Sequence, residues 1–177
     1  MEKLQFNEEN FNILLERMNY LREEVKKYKY DFLTGLKMRK DFDIKMNYLY
    51  ESFEFESKPF IFIMIDADGL HNVNRTIGYE AGDDLLLSIV KQLNDIFGKY
   101  NNSQIFRISG DEFAVLFSTK CQKTEIDEKL KQLKNCTCSM LVVDGDVCYP
   151  SPSSVFKEAD LQLTKNKSIK KKDSNRI

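Results

Sequence analysis

The stretch Phe60-Ile61-Phe62-Ile63-Met64-Ile65-Asp66-Ala67-Asp68 decides the architecture. Six apolar residues in an unbroken run fit a strand covered on both faces, which belongs at the centre of a sheet. The run stops at Asp66-Ala67-Asp68, and carboxylates at the mouth of a buried strand are costly unless something neutralises them. A second segment repeats the pattern: Ile105-Phe106-Arg107-Ile108 runs into Ser109-Gly110-Asp111-Glu112-Phe113. Residues 104–107 and 114–117 read as the arms of a β-hairpin joined by that tight, glycine-containing turn. Two readings stay open for the acids. Each pair is a solvated acidic turn, or together they gather hard oxygen ligands suited to Mg²⁺ carrying a phosphorylated substrate.

Working outward, Phe11, Leu14, Met18, Leu21, Val25 and Tyr28 alternate at spacings of three and four, a heptad seam. Glu16, Arg17, Arg22, Glu23, Glu24, Lys26 and Lys27 solvate the remaining faces. The seam serves either an amphipathic helix packed on its own domain or a short parallel coiled coil. Asp31-Phe32-Leu33-Thr34-Gly35-Leu36 breaks the pattern, with Asp31 or Thr34 available to cap a helix over 39–53. After the central strand a loop over 69–74 is expected, then a helix after Asp83 with Leu85, Leu86, Ile89, Val90, Leu93 and Ile96 on one face, ended by Gly98. A helix over 125–133, a strand over 137–143 and a helix over 153–172 complete an α/β sandwich built on an antiparallel hairpin, with no internal repeat.

Composition narrows the class. In 177 residues, 31% charged and 42% hydrophobic with a net charge of −1, there is room for one domain plus an appended helix, and the balance is not that of a polycation built to grip nucleic acid. No apolar run reaches spanning length and Met1-Glu2-Lys3-Leu4-Gln5 carries no signal-peptide core, so a cytoplasmic protein off the membrane is expected. Cys121, Cys136, Cys138 and Cys148 fit reduced thiols, and His71, the only histidine, lies far from the Cys136-x-Cys138 pair, against a zinc site.

Four segments stand in order: Asp31-x-Leu33-Thr34-Gly35-Leu36-x-x-Arg39; Asp66-x-Asp68 with Asn74 and Gly78-x-x-x-Gly82-Asp83; Arg107-x-Ser109-Gly110-Asp111-Glu112-Phe113; and Ala159-Asp160 opening a Lys-rich helix. This ordered set resembles the GGDEF-domain diguanylate cyclases across residues 31–177, with residues 1–30 as a preceding amphipathic or coiled-coil helix. The resemblance implies the palm-like sandwich of nucleotidyl cyclases and polymerases, a mainly antiparallel central sheet flanked by helices. It further implies condensation of two GTP to cyclic di-GMP with release of pyrophosphate, by two domains of a homodimer meeting face to face with Mg²⁺ or Mn²⁺. Carried over residue by residue, Asp66, Asp111 and the carbonyl of Ala67 would hold metal, and Glu112 would act beside metal and substrate. Asn74 and Asp83 would read guanine, since an Asp accepts from N1–H and the exocyclic amine together. Gly69, Leu70 and His71 would cradle the β- and γ-phosphates, Ser109 and Gly110 would approach the guanosine, and Lys167 and Lys171 would contact phosphate or, as an open alternative, belong to a solvated tail.

Several positions depart from the family pattern. Ser109 replaces the first glycine of the signature, His71 a lysine, Tyr79 a histidine and Met38 an asparagine. The Arg-x-x-Asp product-inhibition site would fall at Tyr100-Asn101-Asn102-Ser103 and is absent. The stretch from Phe117 to Cys138 is short, the strand after Ser139 lacks its glycine, and the last helix shows Leu161-Gln162-Leu163-Thr164-Lys165 in place of the usual run. A domain that has lost catalysis and binds GTP or a partner as a regulatory module is the alternative these changes raise.

Overall fold

The computed structural model describes residues 8–100, 102–118 and 123–174. Cys121, Asn101, the Met1–Gln5 start and the side chain of Tyr28 lie outside the described residues. A long helix α1 (Glu8–Lys29) leads to the two-residue strand β1 (Lys37–Met38) and helix α2 (Arg39–Glu56). Strand β2 (Phe60–Ala67), helices α3 (Leu70–Thr76) and α4 (Tyr79–Phe97), and the hairpin strands β3 (Gln104–Arg107) and β4 (Glu112–Ser118) follow. Helix α5 (Lys123–Leu130), strand β5 (Cys136–Val143) and helix α6 (Pro152–Ser174) close the described chain.

The sheet runs β1-β3-β4-β2-β5, with β1 parallel to β3 and every other pair antiparallel. All eight residues of β2 are buried, as the unbroken apolar run predicts for a strand with a neighbour on each side. Its pleat sorts the core. Phe60, Phe62 and Met64 meet Phe42, Met46 and Leu49 of α2 and Val155, Ala159 and Leu163 of α6 on one face, while Ile61, Ile63 and Ile65 meet Leu86, Ile89, Leu93 and Phe97 of α4 on the other. Phe62 sits between Phe42, 5.5 Å away between ring centroids, and Phe156, stacked at 6.0 Å.

Two local expectations are corrected, and one open alternative is narrowed. Residues 70–76 form α3 instead of loop, because Gly69 takes a left-handed φ of 70° and turns the chain straight from β2 into a helix. Neither Asp31 nor Thr34 caps α2: Met38 holds that N-cap position without a side-chain bond, and Asp31 is engaged elsewhere. The seam of α1 is not packed on its own domain, since Phe11, Leu14, Met18, Leu21 and Val25 are all exposed, Val25 by 60%. Smaller differences concern ends: α5 stops at Leu130, where Gln132 and Leu133 tighten into i−3 backbone bonds. Among the described residues no helix is long and apolar enough to cross a membrane.

The core assignment makes a contrast between two phenylalanines testable. Phe62→Ala, at a fully buried position, should lower unfolding free energy by about 3–5 kcal/mol, whereas Phe55→Ala, on the outer face of α2, should change it by less than about 0.5 kcal/mol. Urea unfolding at neutral pH measures both.

Candidate functional site

The two acidic strand ends meet because β2 and β4 are direct neighbours. Asp66 stands opposite Glu112 in the ladder, and the Ala67 N–H donates to the carbonyl of Asp111 at 2.9 Å. Asp66 is 5% exposed, so its charge is paid for by partners or not at all. The partner is Lys167 of α6, whose Nζ lies 2.5 Å from Asp66 Oδ2. One helical step on, Lys170 Nζ reaches Asp68 Oδ2 at 2.6 Å and the carbonyl of Cys136 at 2.9 Å, while the Thr137 hydroxyl donates to Asp68 Oδ1 at 2.7 Å.

Electrostatics show that the acids remain crowded. Burial pushes the Asp66 carboxyl up, Lys167 pulls it down, and Asp111 and Asp68 push it up again, leaving it raised. Glu112 is raised by burial, then by Asp111, Asp66 and Asp160, against Lys167. Among the described residues, no three His, Cys, Asp or Glu side chains converge tightly enough to hold an ion as they stand. The donor set nonetheless fits a hard divalent cation: carboxylates from two adjoining strand ends repel one another, and one buried member relies on the Lys167 ammonium for its counter-charge.

A hollow of about 360 Å³ opens beside this cluster, lined by Asp66, Asp68, Gly69, Thr137, Lys167, Lys170 and Lys171. Lys167 and Lys171 therefore belong to the site region, and Lys170 joins them. Spacing carried the signal for Lys170, which falls one turn after Lys167 on the same helix face. Helix α6 is held against β5 by Ser139 Oγ donating to the Ala159 carbonyl at 2.8 Å and by Asn166 Nδ2 donating to the Cys138 carbonyl at 2.8 Å. Leu141, where the family glycine is missing, is buried in the core that α6 covers.

The guanine-reading candidates sit where α3 meets α4. Gly82 makes room there: a Cβ would fall 1.8 Å from Asn74 Oδ1, so a larger residue would turn the Asn74 side chain away. Asn74 Oδ1 is buried with no hydrogen-bond partner among the described residues, and Asp83, next to Gly82, is exposed. At the start of α3 the N–H groups of Leu70, His71 and Asn72 precede the first intrahelical bond, Val73 N–H to Gly69 O at 3.0 Å. His71 is exposed.

The hairpin turn is gripped from outside. Arg107 donates through Nε and Nη2 to the Gly110 carbonyl at 3.2 and 2.6 Å, and its Nη1 meets Asp31 Oδ1 at 2.9 Å. Asp31 also accepts from the Thr34 N–H and hydroxyl. The role of Asp31 is thus to fix Arg107 across 76 residues of sequence, which no local pattern could reveal. Ser109 has no left-handed φ, and a Cβ at Gly110 would meet nothing within 4 Å. The substituted glycine therefore strains nothing in the turn.

Comparison with known proteins follows from this geometry. Residues 28–173 match the family model described as diguanylate cyclase, GGDEF domain. An uncharacterized membrane protein of Staphylococcus aureus is 33% identical over 109 residues, 60% of this chain and 28% of that protein, and a counterpart from Staphylococcus haemolyticus is 32% identical over the same shares. The match thus spans just over a quarter of the length of these relatives. The coiled coil and GGDEF domain of DgcB from Caulobacter crescentus, solved with c-di-GMP, superposes with a TM-score of 0.76 at 19% identity, covering 90% of this chain and 91% of that one. The FimX GGDEF domain from Pseudomonas aeruginosa gives 0.68 at 19%, covering 78% and 93%.

The Asp31–Arg107 pair has a pH signature. Burial pushes the Asp31 carboxyl up, but the bonds from Thr34 and Arg107 outweigh it and hold the group below its ordinary 3.8. A carboxyl lowered in the folded state stabilises fully above the unfolded value and loses that contribution as pH falls through the folded one. Wild type should therefore exceed Asp31→Asn in stability at pH 6, with the gap closing below about pH 4; urea midpoints from pH 7 to 2.5 measure it.

Proposed function

The chain belongs to the GGDEF-domain diguanylate cyclase family, and from that footing we propose that it condenses two GTP to cyclic di-GMP, releasing two pyrophosphates, as a homodimer. The observation that carries this is the placement of buried Asp66 against Glu112 and Asp111 at the joined ends of β2 and β4, with Lys167 beside them. A buried acid cluster with an ammonium beside it is the equipment of polyphosphate chemistry.

In each of two steps a ribose 3′-oxygen forms a bond to the α-phosphorus of the other GTP, the bond to pyrophosphate breaks in line, and the hydroxyl proton leaves to solvent. Mg²⁺ or Mn²⁺, held by Asp66, Asp111 and the Ala67 carbonyl, would offset triphosphate charge and acidify the attacking hydroxyl. Lys167, Lys170 and Lys171 line one hollow and supply ammonium donors to the triphosphate. Asp83 accepts from the guanine N1–H and amine, a donor pair adenine lacks, and Asn74 Oδ1 adds a buried acceptor without a partner of its own. The grip of Arg107 on Gly110 sets the turn that carries Asp111 and Glu112.

Each domain brings one GTP, so turnover needs two. The exposed seam of α1 is the surface we assign to pairing: Phe11, Leu14, Met18, Leu21 and Val25 have no intramolecular cover, and a parallel second copy would bury them at a/d positions. A regulatory module that binds GTP without turnover is the second reading, favoured by the engagement of Lys167 and Lys170 with Asp66 and Asp68.

Purified protein with GTP and Mg²⁺ should yield cyclic di-GMP, identified by chromatography and mass, and Asp111→Ala should cut the rate by about a hundredfold or more while keeping a cooperative melt. Bound GTP without product would move the chain to the second reading. Leu21→Lys, in the exposed seam, should lower specific activity most at low protein concentration; activity independent of concentration in that variant removes the seam from the mechanism.

A further inference from the structure

The two lysine–aspartate pairs at the end of β2 are alike in chemistry and differ in build. Asp68 is bound on both oxygens, by the Thr137 hydroxyl at 2.7 Å and by Lys170 at 2.6 Å, and Lys170 also donates to the Cys136 carbonyl at 2.9 Å. Asp66 has one side-chain partner among the described residues, Lys167 at 2.5 Å, and Lys167 has no other. The pair at Asp68 is closed, and the pair at Asp66 hangs on a single contact.

Burial within the Asp66 pair is unequal. The Asp66 side chain is 7% exposed, on a strand that cannot shift without breaking the ladders to β4 and β5, whereas the Lys167 side chain is 42% exposed on a flexible four-carbon stem. Leu163 is the last residue of α6 in the core, and residues 164–173 are all exposed, so charge and not packing keeps the Lys167 ammonium against Asp66. Lys167 is therefore the member of the pair able to move. Leaving costs it one contact where Lys170 would give up two, so Lys170 keeps the end of α6 in place meanwhile. Its destination is the hollow that it lines with Gly69, Lys170 and Lys171, which opens at the start of α3 and suits an anion.

We propose that Lys167 is an exchangeable counter-ion, and that Asp66 passes from Lys167 to a divalent cation as Lys167 passes from Asp66 to the polyphosphate of the nucleotide. This rests on the reading of Asp66 as a cation ligand given above. The exchange never leaves the buried carboxylate alone, which is the costly alternative at such a position. A cation arriving by itself has to displace the ammonium into water, whereas a cation arriving with a polyphosphate provides the ammonium with a new partner. The two ligands are thus positively coupled, each raising the affinity for the other by the same factor, and the site loads them together.

The test uses the full chain, Mn²⁺ followed by its electron paramagnetic resonance signal, and 3′-deoxy-GTP, which lacks the attacking hydroxyl and binds without condensing. Lys167→Met keeps the stem and removes the competitor. It should bind Mn²⁺ alone about fivefold or more tighter than wild type, and 3′-deoxy-GTP should tighten Mn²⁺ less in the variant, after correction for Mn²⁺ held by free analogue. On unaltered protein, acetylation of Lys167 read by mass spectrometry should speed up with Mn²⁺ alone and slow again when the analogue follows, relative to exposed Lys165. That arm decides if Lys167→Met does not fold. Mn²⁺ that binds neither protein, with or without analogue, removes the cation reading and this inference with it. Mn²⁺ that binds Lys167→Met no tighter than wild type, or that leaves acetylation of Lys167 unchanged, overturns the exchange while the cation reading stands.

Discussion

Everything in the molecule's active half depends on a carboxylate held where water scarcely reaches. Asp66 ends a strand whose every residue is buried, and it is tolerated because Lys167 comes from the far end of the chain to face it. That single pairing explains why α6 must lie where it does, anchored to β5 through Ser139 and Asn166, and why the apolar positions Val155, Ala159 and Leu163 fall under Phe62 and its neighbours. A buried ion pair of this kind adds little net stability, because desolvation offsets most of the attraction. Its value is positional: it fixes α6 against the end of β2.

The parts of this arrangement that were legible in the sequence are those with local signatures. The apolar run 60–65 could only be a doubly covered strand, and the hairpin around Ser109–Glu112 followed from its turn. The acids Asp66, Asp111 and Glu112 stood at strand ends, so knowing the strands placed them together. What stayed hidden depends on long-range contact. Asp31 looked like a helix cap because Asp before a helix usually is one; its bond to Arg107 comes from the pairing of β1 with β3, which brings that turn beside the hairpin. Helix α3 was masked by its shortness and by glycine at 69, read as loop when it is a left-handed entry into a helix. Spacing put Lys170 on the face of Lys167, but its bond to Asp68 depends on how α6 packs, which composition does not set.

The same distinction governs α1. Its heptad seam is plain in the sequence, yet spacing alone leaves open whether the seam faces the domain or another molecule. Exposure of Phe11, Leu14, Met18, Leu21 and Val25 removes the first option for this chain. Only Tyr30, bridged to Lys37, separates the end of α1 from Asp31, and Asp31 holds the arginine that grips the hairpin turn. A helix with an exposed apolar seam is thus joined through three residues to the backbone beside Asp111.

The departures from the family signature carry unequal weight once their places are known. Ser109 sits in ordinary backbone, so its side chain costs no strain and acts only on whatever approaches the turn. Gly110 keeps open space where a Cβ would stand, which preserves a close approach on that side. Loss of the glycine at Leu141 is absorbed by burial in the core, and α6 still delivers three lysines to the acids. His71, at the position of the family lysine, is exposed at the start of α3, with Arg75 one turn further along the same helix. Lys170, 2.6 Å from Asp68, lines the hollow together with Gly69, the residue from which α3 starts, and brings positive charge to that end of the helix.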